Sequence, residues 1–259
     1  MAKQKADEYL GLGEDGAITA IAKGGPNRGK PLTFKSLGVV GFYISDFSSL
    51  DSGLGLFRAK LRPEPPRSKT DYVWYAGYGS NTLRERFIRY IEGGKFRLGG
   101  TDLTGCRDKT PPVDTDDFLI PHEMYFAGRA SGWKCGGTAL LDPRPTTDES
   151  KFTRGRIWKV TWEQFEDIWR QEGKTKHDQR LSLGPYADGC EIATFTCSRV
   201  LETSSPATEY LQTIALGLRE TFALSSSQVL DYLSQLGGLS GKIQTVDLKS
   251  MIESALGKA

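Results

Sequence analysis

The chain of 259 residues contains only two histidines, His122 and His177. A site built on three histidines is therefore excluded, and a Ser-His-Asp arrangement has just two candidate bases. Four cysteines, Cys106, Cys135, Cys190 and Cys197, are scattered without a Cys-x-x-Cys pair. That spacing argues against a structural zinc site or a disulfide framework and suits a reducing, cytoplasmic setting. No apolar run approaches the roughly 20 residues that a membrane helix needs, and the segment Met1–Glu8 is charged where a secretory signal would be apolar. A net charge of +2 is too small to make nucleic acid or an anionic membrane the main partner. Carboxylates, tyrosines and backbone donors are left to carry any chemistry.

Residues 1–70 read as an N-terminal extension, either a flexible arm or an extra layer. Gly24-Gly25-Pro26, Gly29-Lys30-Pro31 and Gly53–Gly55 punctuate it, and one short apolar run, Leu37–Ile44, suits a strand. Arg62-Pro63-Glu64-Pro65-Pro66-Arg67 reads as an extended linker, because its prolines forbid a helix. The main domain is expected over 71–259.

Within it, Tyr72-Val73-Trp74-Tyr75 has the aromatic and β-branched richness of a strand. Thr82-Leu83-Arg84-Glu85 has the spacing of a capping box opening a helix that stops at Gly93-Gly94. Residues 95–122 lack a clear period and read as a loop or insertion. Strands follow over Met124–Ala127, Thr138–Leu141, Ile157–Trp162 and Glu191–Val200. A second capping box, Thr161-Trp162-Glu163-Gln164, opens a helix ended by Gly173, and three helices close the chain. Strands in the middle and helices at the end predict an α+β domain.

The loop Tyr75-Ala76-Gly77-Tyr78-Gly79-Ser80-Asn81 lies between a strand and the start of a helix. Unpaired N–H groups at a helix start, with glycines allowing close approach, suit an anion such as a carboxylate. The same pattern is also an ordinary strand–turn–helix connection. Glu172 sits in the last turn of its helix, facing the negative end of the dipole. It is a candidate proton carrier, or a solvated helix-end residue.

Tyr78-Gly79-Ser80-Asn81 resembles the substrate loop of the γ-glutamylcyclotransferase family, also called the AIG2-like family. Four further pieces are similar to that family in the same order: Gly132–Ala139, Gly155–Val160, Trp169–Gly173 and Ser205–Gly217. The resemblance spans about 72–235. It implies a mixed β-sheet or small barrel with flanking helices. It also implies a cytoplasmic enzyme, of lyase or acyltransferase type, that closes a γ-glutamyl group to 5-oxoproline and releases an amine, amino acid or peptide. Glu172 would be catalytic. Tyr75, Ala76, Gly77, Tyr78, Gly79, Ser80, Asn81, Trp133 and Tyr210 would surround a small γ-glutamyl substrate, with loop N–H groups holding a carboxylate or oxyanion. No metal or organic cofactor is expected, and the oligomeric state is open.

Three departures from the family stand out: the basic stretch Lys174–Arg180 after the Glu-Gly pair, Thr82 where a leucine is usual, and the unmatched segments 1–70 and 95–122. Lys174, Lys176, His177 and Arg180 form a solvated face or select an anionic leaving portion. A second reading is a non-catalytic AIG2-like binding or regulatory module. A third is an N-terminal recognition arm using Lys23, Arg28, Lys30 and Lys35.

Overall fold

The structure is a computed structural model. It describes residues 71–173 and 176–257 in full, and the backbone of five strands before them. The chain divides into two compact units, Met1–Arg67 and Ser68–Ala259.

The first unit holds β1 (Asp7–Leu12), β2 (Ile18–Ile21), β3 (Pro31–Leu32), β4 (Phe42–Asp51) and β5 (Leu56–Pro63). They form one antiparallel sheet in the order β3-β2-β1-β5-β4. The expected single strand at Leu37–Ile44 meets β4 only from Phe42 onward, and 37–41 lie outside the described residues. Arg62 and Pro63, read as the start of the linker, end β5 instead. Lys23, Arg28, Lys30 and Lys35 lie outside the described residues.

The second unit is built on a five-stranded sheet in the order β11-β12-β6-β10-β7. These strands are β6 (Tyr72–Gly77), β7 (Asp114–Ile120), β10 (Thr153–Thr161), β11 (Gln179–Pro185) and β12 (Glu191–Thr196). Central β6 runs antiparallel to β10 and parallel to β12. A hairpin of β8 (Met124–Ala130) and β9 (Gly136–Leu141) forms a separate two-stranded sheet. Helices are α1 (Arg84–Glu92), α2 (Trp162–Glu172), α3 (Thr208–Phe222), α4 (Ser226–Ser234) and α5 (Thr245–Leu256). The unit is thus mixed α+β, as expected. The small-barrel alternative is corrected: β7 pairs only with β10 and β11 only with β12, so the sheet stays open among the described residues.

The central sheet is covered on both faces, which explains the unbroken apolar run in β6. Alternate side chains of a strand point to opposite faces. Val73 and Tyr75 enter a core with Phe87 of α1, Phe165 of α2, Trp158 and Phe195. Trp74 and Ala76 enter the other core, with Ile157, Leu211, Ile214 and Leu218, to which α4 and α5 add Val229, Leu233, Leu248 and Ile252.

Two capping boxes were equally visible in the sequence, and only one forms. Thr161 Oγ1 accepts from Gln164 N at 3.2 Å, and Gln164 Oε1 accepts from Thr161 N at 3.0 Å, closing the start of α2. At the other, Leu83 caps α1 without a side-chain bond. Thr82 Oγ1 instead donates to Gly79 O at 2.8 Å, inside a buried 3-10 turn over Gly79–Thr82. The helix beneath that turn dictates this choice. Gly217 of α3 packs so closely that a Cβ there would lie 2.2 Å from Thr82 Oγ1.

Residues 95–122 are also more ordered than their composition suggests. Asp114–Ile120 is edge strand β7, and Phe96, Leu103 and Cys106 are buried. Likewise Gln179 and Arg180, read as part of a basic stretch, begin edge strand β11. Glu191–Val200, read as one strand, is paired only to Thr196.

Candidate functional site

A cavity of about 290 Å³ opens where the chain leaves β6, near the lower end of volumes that hold small molecules. Its wall joins Tyr78, Ser80 and Asn81 of the loop, Arg86 and Tyr90 of α1, and Gln171 and Glu172 at the end of α2. The hairpin side contributes Trp133, Thr138 and Ala139, and α3 contributes Tyr210. Tyr90 belongs to the same core as Phe87, and Tyr78, Trp133, Ala139 and Tyr210 belong to the other.

Glu172 and Asn81 meet at this wall. Asn81 Nδ2 lies 2.7 Å from Glu172 Oε1 and 3.0 Å from Tyr75 Oη. The Asn81 side chain is fixed by its own backbone, since Asn81 O accepts from Trp158 Nε1 at 3.1 Å. The Tyr90 hydroxyl accepts from Arg86 Nη2 at 3.1 Å and lies close enough to Glu172 to feel its charge. Glu172 is therefore held by a donor from the loop, while α2 ends behind it at Gly173, φ 84°.

Four buried tyrosines surround this carboxylate. Burial pushes the hydroxyls of Tyr75, Tyr78, Tyr90 and Tyr210 up from their ordinary value, and the negative charge of Glu172 adds to the shift in each. They stay neutral and keep their protons for hydrogen bonding.

Of the residues singled out in the sequence, Tyr75, Tyr78, Ser80, Asn81, Trp133, Tyr210 and Glu172 line the cavity. Ala76, Gly77 and Gly79 do not. Ala76 belongs to the core. Gly77 ends β6 opposite Arg156. Gly79 has φ +60°, and a Cβ there would fall 2.7 Å from Ala139 Cβ and 3.0 Å from Tyr210 Oη, so both backbone and space call for glycine. The Tyr78 hydroxyl is committed to Phe195 O at 2.7 Å, and Tyr210 Oη accepts from Ala139 N at 3.1 Å. The helix start expected at Thr82 does not face the cavity. α1 begins at Arg84, and its first residues, Arg84 and Glu85, are exposed outside the cavity.

The basic stretch divides. Lys176 and His177 line the cavity, Lys176 donating to Arg129 O. Arg180 turns away to pair with Glu191, and Lys174 lies outside the described residues. Sequence reasoning missed Arg86, Tyr90, Thr101 and Arg129. The helical period placed Tyr90 in the core stripe and gave no signal for the others. Among the described residues, no group of three or more His, Cys, Asp or Glu side chains is placed to hold a metal ion. No described helix is long and apolar enough to cross a membrane.

No family model matches the chain, and no solved structure matches it. Among curated proteins, it is 37% identical over 101 residues to histone deacetylase 5 of Arabidopsis thaliana. The match takes in 39% of this chain and 15% of that protein's length. This finding corrects the activity expected from the motif resemblance. The relative is named for a different reaction, so the γ-glutamylcyclotransferase assignment is withdrawn. Its γ-glutamyl substrate, its 5-oxoproline product and its lyase or acyltransferase class go with it.

Proposed function

We propose that the second unit is an enzyme for a small acylated amine, with Glu172 carrying the proton exchanged at the acyl–nitrogen bond. The observation that carries this reading is the Glu172–Asn81 contact of 2.7 Å at the cavity wall. A carboxylate within reach of a bound ligand, held by an amide and ringed by neutral hydroxyls, suits general acid–base catalysis. Glu172 takes a proton from an attacking water as the C–O bond forms, then returns it to the nitrogen as the C–N bond breaks. The products are a carboxylic acid and an amine. The name of the partial relative supports acyl–nitrogen bonds as the bond class to test, although the chain spans only 15% of that protein. The loop and strand motifs support an AIG2-like arrangement around the pocket, without the activity for which that family is named.

The test offers the protein a panel of N-acylated amines, including an acetyl-lysine peptide, and follows amine release by mass spectrometry. Release by the wild type that Glu172→Gln reduces at least a hundredfold, about what removing a general acid–base group costs, supports the reading. No release from any member, or equal release by Glu172→Gln, overturns it.

A further inference from the structure

Arg86 is a buried cation with unspent donors. It is 3% exposed, yet its Nε and Nη1 have no hydrogen-bond partner. Among the described residues its one side-chain hydrogen bond runs from Nη2 to the Tyr90 hydroxyl. The guanidinium carbon lies over two aromatic rings, 4.6 Å from the Tyr90 ring centroid and 5.9 Å from that of Trp133. Trp133 packs over Gly99 and Gly100, and a Cβ on Gly100 would approach Arg86 Nη2 at 3.5 Å.

A guanidinium cannot escape burial by losing its proton. An uncompensated charge in such a place is destabilising, so a protein that keeps one there has a use for it. No carboxylate forms an ion pair with Arg86 among the described residues. The cavity lining as a whole carries Arg86, Arg129 and Lys176 against the single carboxylate of Glu172. An anionic ligand would supply the missing acceptor and balance the wall.

We propose that Arg86 is the carboxylate-reading subsite of this cavity, so that the ligand is a small acylated amine that also bears a carboxylate. This rests on the acid–base reading of Glu172 for the acylated amine, and adds to it the anionic group. Arg86 and Glu172 both line this cavity, so one small ligand can present a carboxylate to the first and its acyl–nitrogen bond to the second. An N-acyl amino acid is short enough for both. Phosphate has no matching acyl–nitrogen group to place at Glu172.

The probes are N-acetylglycine, its uncharged counterpart N-acetylglycinamide, and inorganic phosphate, titrated into the full chain by calorimetry. Wild type is expected to bind the acid at least about tenfold more tightly than the amide, the size of a charge-assisted hydrogen bond. Glu172→Gln keeps that preference, because the anion is read elsewhere, and Arg86→Gln abolishes it. Arg86→Lys keeps the charge without the planar fork and retains part of the preference. If Arg86→Gln does not fold, the Nε–H resonance of Arg86 in the wild type, assigned by its absence from Arg86→Lys, decides. It shifts with the acid and stays still with the amide. Equal binding of acid and amide, no binding of the acid, tighter binding of phosphate, or an unmoved Nε–H resonance overturns the proposal. Acid binding without any turnover removes the catalytic reading while leaving the subsite.

Discussion

Asn81 and Glu172 stand 91 positions apart in the chain and 2.7 Å apart in space, amide nitrogen to carboxylate oxygen. Replacing Asn81 with Asp sets two carboxylates in that contact. Two such groups cannot both ionise, and the pair shares a proton. Asn81→Asp is therefore expected to be destabilised most at alkaline pH, with the deficit shrinking as acidification supplies that proton. Melting temperatures of variant and wild type from pH 8 to pH 5 measure it. A deficit that is constant or grows on acidification would show that the contact is absent.

Gly217 controls the same loop from beneath. The Cβ of Gly217→Ala would meet Thr82 Oγ1 at 2.2 Å and Leu83 N at 2.7 Å, and the second of these is backbone that cannot swing aside. Overpacking of this kind costs typically about 1–3 kcal/mol. Denaturant unfolding should show a loss in that range, and calorimetry a weakened N-acetylglycine affinity, because the 3-10 turn carries Asn81. A variant as stable as wild type would mean that α3 does not seat the turn.

The two capping boxes separate by mutation. Thr161→Ala removes a formed cap and should cost about 1 kcal/mol, within the usual range for caps. Glu85→Ala removes the matching residue of the box that does not form. Glu85 is exposed and paired with exposed Arg97, so its loss should lie within about 0.5 kcal/mol of zero. Equal costs would contradict the assignment of the α1 start to Leu83.

Asp188 ties the sheet edge to the core in a pH-dependent way. Its carboxylate binds Lys159 Nζ at 2.7 Å and Trp74 Nε1 at 3.1 Å. The Lys159 hydrogen bond is the main reason its pKa falls from 3.8 to about 2. A carboxylate depressed in this way contributes stability that is complete above its unfolded value and is lost as pH falls through its folded value. The advantage of wild type over Asp188→Asn should thus be flat above pH 5 and decline between about pH 4 and pH 2. Denaturant midpoints across that window test it, and an advantage that rises on acidification refutes it.

Much of the second unit's framework was legible because both faces of its sheet are covered. Tyr72–Tyr75 reads as strand on aromatic and β-branched content alone, and Thr161–Gln164 is a local motif satisfied locally. The edge strands were not legible. Asp114–Asp117 carries three acidic residues, and β11 begins with Gln179 and Arg180; such sequences become strands through backbone pairing with β10 and β12. The site divides in the same manner. Tyr78–Asn81 and Glu172 stood out through motifs, although the activity inferred from them did not survive comparison. Arg86 gave no signal, since its burial depends on Trp133 and on Gly99-Gly100 closing over a helix position that is polar by period.

The candidate site hangs from β6, the strand buried on both faces. In hydrogen-exchange terms, the amides of Val73–Ala76 open only when the whole unit does, since no smaller opening frees both cores at once. The loop bearing Asn81 continues directly from them. Its geometry is therefore governed by global unfolding rather than by fraying, and the site should keep its shape until cooperative melting takes the sheet with it.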